Sequence, residues 1–139
     1  MLGALLRIAH AGMADEYARW LAGSAYNDIQ PAHAAAIQPL WQHPGGARLT
    51  DLAQTARITK QSMGALVDSL EQGGYVERVE DPDDRRASRV RLTARGRSFA
   101  RDARKFARDV EDRVAARIGK GRLEELRAAL ELIVQPPQK

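Results

Sequence analysis

The sequence predicts a mainly α-helical chain with a small β-wing, and three observations predict it. Apolar residues return every three or four positions along most of the chain, the period of a helix with one buried side. Ala, Leu, Arg and Glu are abundant while aromatic residues make up 5% of the 139 positions, a balance that favours helix over sheet. One segment, Tyr75 to Leu92, breaks the pattern and alternates as strands do around a turn-forming cluster. With 44% apolar residues the chain can bury one core and is too short for two.

Each element follows from its own signals. Leu2, Leu5, Leu6, Ala9, Met13, Tyr17, Trp20 and Leu21 form a helical stripe from Leu2 to about Gly23. Asn27 and Asp28 precede a second helix that begins near Gln30, with Pro31 at an early position where its missing N–H is harmless. It runs through Ile37 and Trp41 to His43-Pro-Gly-Gly46, and Pro39 predicts a bend within it. Ala47-Arg48-Leu49 suits a short strand. Thr50 is placed to cap a helix from Asp51 to about Ala56. After a tight turn at Arg57-Ile58, Thr59 caps another helix with Met63, Leu66, Val67 and Leu70 inward, ending at Gly73-Gly74. Two such helices joined by a short turn make a helix-turn-helix.

The hairpin comes directly after this pair, as a wing does. Tyr75 to Val79 reads as one strand, Glu80 to Asp84 as the turn, and Arg89 to Leu92 as the returning strand, with Arg85 and Arg86 at or just past the tip. Thr93 then caps a long helix, with Gly96 in its first turn and Phe99, Ala103, Phe106, Val110 and Val114 in its stripe, out to about Ile118. Roughly 25 residues at about 1.5 Å each give some 37 Å, long for so small a domain. Gly119-Lys-Gly121 separates it from a last helix carrying Leu123, Leu126, Leu130 and Ile133, and Pro136-Pro137 ends regular structure. The stripes of the first, long and last helices lie outside the winged core, and burial against a second copy across a two-fold axis covers them economically. The expected arrangement is a single domain, with a winged lobe at about 29–93 and dimerisation helices at about 1–28 and 94–139.

Charge is distributed unevenly. The net charge is +4, yet ten basic residues and one acid, Asp102, lie between Arg85 and Arg108. The first forty residues hold Arg7 and Arg19 against Asp15, Glu16 and Asp28. A positive field focused on one third of the chain suits a polyanion. The absence of cysteine excludes disulfides, thiolate metal sites and thiol redox sensing. His10, His33 and His43 match no metal-ligand spacing, so neither metal nor cofactor is expected. No nucleophile–base pair or phosphate-cradling glycine loop points to an enzyme. With no leader or membrane span to read, a cytoplasmic protein is the expectation.

At this point the sequence resembles the MarR (multiple antibiotic resistance regulator) family. The residues that carry the resemblance are Leu49-Thr-Asp-Leu-Ala53, Thr59 to Glu71, Gly74-Tyr-Val-Glu-Arg78 and, above all, Asp81-Pro-Asp-Asp-Arg-Arg-Ala-Ser-Arg-Val-Arg-Leu-Thr-Ala-Arg-Gly96. The resemblance implies a triangular homodimer that binds double-stranded DNA through two winged lobes, a transcription repressor relieved by a small-molecule ligand. It points to the start of the second helix of the pair for the major groove and to the wing arginines for the minor groove.

On that basis the DNA-contact candidates are Thr59, Lys60, Gln61, Ser62, Gly64 and Ala65 on the helix and Arg85, Arg86, Arg89 and Arg91 on the wing. Gln61 can pair with adenine, and the hydroxyls and Lys60 suit phosphates or base edges. A guanidinium on the hairpin can enter a narrow A·T-rich minor groove. Asp83 or Asp84 is expected to pair with Arg86 or Arg78 and stiffen the wing. Family members often carry a hydroxyl residue and a basic residue where this chain has Gly64 and Ala65, which shifts the expected specificity toward the wings and DNA shape. The family's ligand pocket between dimerisation helices and winged lobe implies His10, Met13, Tyr17, His33, Ile37 and Trp41 as lining, with a small aromatic or phenolic ligand. The alternative reading is a dimeric small-molecule-binding or protein-interaction module that no longer binds DNA.

Overall fold

The helical periods of the sequence become six α-helices among residues 1–135, the residues that the computed structural model describes. The expected stop at Pro136-Pro137 lies outside the described residues. Helix α1 spans Leu2–Ala22 and ends at Gly23. Ser24 then turns the chain, its hydroxyl donating to the Leu21 carbonyl at 2.9 Å and accepting the Tyr26 N–H at 3.0 Å.

The second helix starts beside Gln30, as the sequence suggests, but with a tighter first turn. Gln30 is extended, and a single 3-10 turn, Pro31–His33, leads into α2, Ala34–Leu40. The His33 Nδ1 accepts the Gln30 N–H at 2.9 Å, an imidazole doing the work expected of a carboxylate or amide cap. Pro39 sits one residue before the end of α2. The bend expected there has almost no helix left to act on.

Strand β1 is only Ala47–Arg48, and α3, Leu49–Ala56, follows without a spacer. Thr50 therefore lies inside the helix and Arg48 takes the cap position. The cause is tertiary: Arg48 pairs with Arg89 in a sheet and its side chain is held there, so the chain turns into helix at once. Helix α4, Lys60–Gln72, starts at Thr59 as expected, the Thr59 hydroxyl accepting the Ser62 N–H at 3.0 Å. Met63, Val67 and Leu70 are buried and Leu66 half-buried. Gly74 supplies the left-handed residue after the helix, with φ at +75°.

The wing is longer than its alternation showed. Strand β2 is Val76–Asp81 and β3 is Asp84–Leu92, so only Pro82 and Asp83 form the turn. β3 also pairs antiparallel with β1, giving a three-stranded sheet ordered β1-β3-β2. The outer half of the hairpin, residues 80–88, buries no apolar side chain, so no apolar alternation marked it as strand. Helix α5, Ala94–Ile118, follows Thr93, whose hydroxyl accepts the Gly96 N–H at 3.1 Å and donates to the Gly74 carbonyl at 2.6 Å. Of the predicted breaker Gly119-Lys-Gly121, Gly119 alone breaks the helix, at φ +91°; α6 spans Lys120–Val134 and includes the other two.

The chain divides into two compact units, Met1–Ala100 and Arg101–Lys139. In the first, Leu21, Ile29, Ile37, Leu40, Leu52, Met63, Val67, Leu70, Val76, Val90 and Phe99 are buried. Tyr26 meets the edge of Phe99 at 5.1 Å between ring centroids, and Tyr75 does so at 6.0 Å. In the second, Arg127 bridges α6 to Glu111 of α5 at 2.9 Å, and α6 buries no residue. Leu126, Leu132, Ile133 and Val134 are exposed there, as are Leu2, Leu5, Ile8 and Met13 on α1.

The tightest point of the first unit is Gly96, where a Cβ would lie 2.0 Å from the Tyr75 carbonyl oxygen. That oxygen also accepts the Thr93 N–H at 3.0 Å, so it is pinned. Gly96→Ala should therefore destabilise the protein by about 3 kcal/mol or more, read as a lowered urea midpoint.

Candidate nucleic-acid interface

Burying Met63, Val67 and Leu70 turns the opposite side of α4 outward. Thr59, Lys60, Gln61, Ser62 and Ala65 are all exposed, and Gly64 is half-buried. Thr59 and Ser62 are coupled: the Thr59 hydroxyl accepts the Ser62 N–H and donates its own proton to Ser62 Oγ at 2.9 Å. The Ser62 hydroxyl proton is left for an outside acceptor such as a phosphate oxygen. Gly64 is not required by packing, because a Cβ there would meet only Leu49 Cδ2, at 3.8 Å.

The acids of this face are neutralised from the wing. Arg78 of β2 binds Asp68 at 2.7 Å and also Glu71, one turn further along α4. The two pairs raise the affinity of the Arg78 guanidinium for its proton, the hydrogen bond to Asp68 contributing most.

The wing itself is anchored on a buried carboxylate. Asp81 is 2% exposed, and its Oδ2 accepts from Arg48 Nε at 2.6 Å and from Arg89 Nε at 3.1 Å, while Oδ1 accepts the Asp83 N–H at 2.9 Å. Arg89 extends a second arm to Asp83 at 3.0 Å. The Arg48 hydrogen bond above all, then the Asp83 N–H, holds the Asp81 carboxyl well below the usual carboxylate range. The wing is thus stiffened by Asp83 through Arg89, and not through Arg86 or Arg78 as the sequence suggested. Asp84 accepts the backbone N–H of Arg86 at 3.0 Å.

Arg91 pairs across the sheet with Glu77 at 2.8 Å. Arg89 and Arg91 are therefore engaged within the wing, whereas Arg85 and Arg86 are exposed with no side-chain partner among the described residues. The register explains their freedom. Glu80 faces Ser88 and Asp81 faces Asp84, so Arg85, Arg86 and Ala87 have no residue opposite them. They form a bulge in β3 just after the turn, a device that re-aims side chains away from the sheet.

Behind α4 lies a second polar network. Tyr75 donates its hydroxyl proton to Asp28, and Arg95 lies over the Tyr75 ring at 4.3 Å while donating to the Gly73 carbonyl at 2.7 Å. His33 is buried, and burial lowers its pKa against the opposing pull of Asp28. With Nδ1 accepting from Gln30, its proton sits on Nε2 and is donated to Ser69 Oγ of α4 at 3.1 Å. His33 is thus a strut between the approach to α2 and α4. Of the other residues expected to line a ligand pocket, Ile37 is fully buried, Tyr17 stacks on Trp20 at 5.8 Å, Trp41 is half-buried, and His10 and Met13 are exposed on α1. Burial pushes the Tyr17 phenol up to about 12, so it stays neutral. A cavity of about 440 Å³ opens between α2 and α3, lined by other residues, among them Gln38, Gln42, His43 and Thr55. No group of acidic or histidine side chains among the described residues could hold a metal ion, and no helix among them is long and apolar enough to cross a membrane.

Comparison with known proteins shows what the chain as a whole resembles. The model of the MarR family matches residues 27–87. The chain is 31% identical over 116 residues to the HTH-type transcriptional repressor Rv2887 of Mycobacterium tuberculosis, covering 74% of this chain and 83% of that one. Its fold is similar to that of the transcriptional repressor CouR bound to a 23-mer DNA duplex, with a TM-score of 0.81 and 28% identity over 97% of this chain and 93% of that one. CouR from Rhodococcus jostii RHA1 bound to p-coumaroyl-CoA gives a TM-score of 0.83 at 22% identity, over 99% and 94% of the two chains.

Two measurements check the anchor and the open helix face. The Asp81 contribution is complete above the ordinary carboxylate pKa of about 4 and is lost as pH falls below it toward the depressed folded value. Melting temperature should therefore drop between pH 7 and pH 3 by less in Asp81→Asn than in the wild type, and the variant should melt roughly 5–10 °C lower at pH 7. Gly64→Ala should raise unfolding free energy by about 0.5–1 kcal/mol in urea, since a mid-helix glycine is replaced where a methyl fits.

Proposed function

The chain belongs to the MarR family of winged-helix transcription regulators, and from that premise we propose that it acts as a homodimeric DNA-binding repressor. The observation that carries the reading is the β3 bulge: two arginines without acidic partners, held on a wing whose remaining arginines are spent on stiffening it. A guanidinium so placed suits the negative potential of a narrow minor groove. Thr59, Lys60, Gln61 and Ser62 present donors to the adjacent major groove, and Gly64 and Ala65 let the helix approach closely while reading little. Arg89 and Arg91 serve this interface by holding the wing, with contact to DNA left to Arg85 and Arg86.

The exposed apolar residues of α1 and α6 support self-association through the chain's two ends, with residues about 29–93 as the winged lobe. A homodimer of this kind reads an imperfect inverted repeat with half-sites roughly 10 bp apart. The cytoplasm, where such DNA lies, is its place of action. Relief of repression by a small ligand follows the precedent of CouR, whose solved structure holds p-coumaroyl-CoA. A small aromatic or phenolic compound is the ligand class the Tyr17 and Trp20 stack suits, with Met13 beside it on the exposed surface of α1. Gly64 and Ala65 favour one second reading, a dimeric ligand- or protein-binding module without DNA.

Salt-dependent DNA binding separates the two. Wild-type protein should bind genomic fragments that it enriches, with affinity falling steeply as salt rises. Arg85→Ala with Arg86→Ala should reduce affinity about a hundredfold and flatten the log–log salt slope by about two. A double variant that regulates as the wild type does would favour the DNA-free module.

A further inference from the structure

One residue near this face costs the fold stability for no reason internal to it. Arg57 ends α3 with φ 55° and ψ 40°, the only non-glycine residue at positive φ among the described residues. An L-residue is strained in that left-handed conformation, and glycine is the residue that adopts it freely. The backbone bonds made there do not need an arginine: Arg57 N–H donates to Gln54 O and Ile58 N–H to Ala53 O, which any residue in the same conformation would allow. The side chain is exposed and makes no ion pair or hydrogen bond with a described residue. Neither packing nor internal charge accounts for it.

Its position does. Arg57 stands in the turn of the helix pair, two residues before Thr59, and its Cα lies within about 7.6 Å of the Thr59 Cα, the span of two peptide units. A long, mobile guanidinium can cover the ground just outside Thr59, Lys60 and Ser62. The same helix lacks polar side chains at Gly64 and Ala65.

We propose that Arg57 is a DNA-contact residue that binds a backbone phosphate beside the groove entered by α4. A guanidinium offers a phosphate two parallel N–H donors and keeps its charge at any working pH. Backbone strain retained at an exposed cation fits a site that serves a partner outside the fold. The contact is sequence-independent and adds affinity and register to whatever the wing and α4 read. This inference rests on the DNA-binding reading above.

The test uses the full chain, with wild type, Arg57→Gly and Arg57→Lys compared by thermal melting without DNA and by fluorescence anisotropy on two duplexes of about 30 bp across a salt series. One duplex is a fragment enriched by the wild type and the other is of mixed sequence. Arg57→Gly should melt a few degrees higher yet bind both duplexes about tenfold more weakly, its salt slope reduced by about one. Arg57→Lys should melt like the wild type and keep the slope. Arg57→Gly with unchanged affinity and slope overturns the inference, as does a melting point below that of the wild type. A loss confined to the enriched duplex overturns the phosphate assignment in favour of a base contact. Wild-type protein that binds neither duplex sinks the DNA-binding reading itself, a result distinct from any of these.

Discussion

A single buried carboxylate organises the wing and the start of the helix pair. Asp81 lies at the end of β2, yet its oxygens collect Arg48 from β1, Arg89 from β3 and the backbone of the turn. Burying a carboxylate is costly unless its lone pairs are filled by donors, and here three donors fill them. The two arginines remain partly exposed, so neither cation loses its hydration entirely. Because Arg48 directly precedes α3, the same ion cluster that closes the sheet also sets where the helix pair begins. Wing and helices are located from one point.

Much of this was legible because the interior is periodic. Met63, Val67 and Leu70, or Phe99 in α5, announce their burial by spacing alone, and Thr59 and Thr93 announce helix starts by chemistry. What escaped was decided by partners distant in sequence. Thr50 looks like a better cap than Arg48 until Arg48 is tied to Asp81, thirty-three residues away. That His33 ties the approach to α2 to Ser69 of α4 was equally invisible, because its partner lies on another helix. The outer wing carried no apolar alternation, so Arg85 and Arg86 could be placed at or just past the tip but not on a bulge within a strand.

The charge run told less than the pairings do. Counting bases shows where positive charge accumulates, but a count cannot separate arginines that hold the fold from those that face outward. Arg48, Arg78, Arg89, Arg91 and Arg95 all serve the fold. Lys60, Arg85 and Arg86 do not. Only pairing makes that division, and the acids that perform it, Asp68, Glu71, Glu77, Asp81 and Asp83, look in the sequence like a reason to doubt a polyanion partner.

Arg78 gives the arrangement a mechanical character. Each of its pairs at an exposed surface contributes little by itself, about 0.2–1 kcal/mol. Joined through one planar guanidinium, they clamp two acids a turn apart on α4 to a strand of the wing. Helix and hairpin are thereby tied, so a tilt of either one is passed to the other. A lobe built this way moves as a unit, and in the proposed complex with DNA its helix and its wing are engaged or released together.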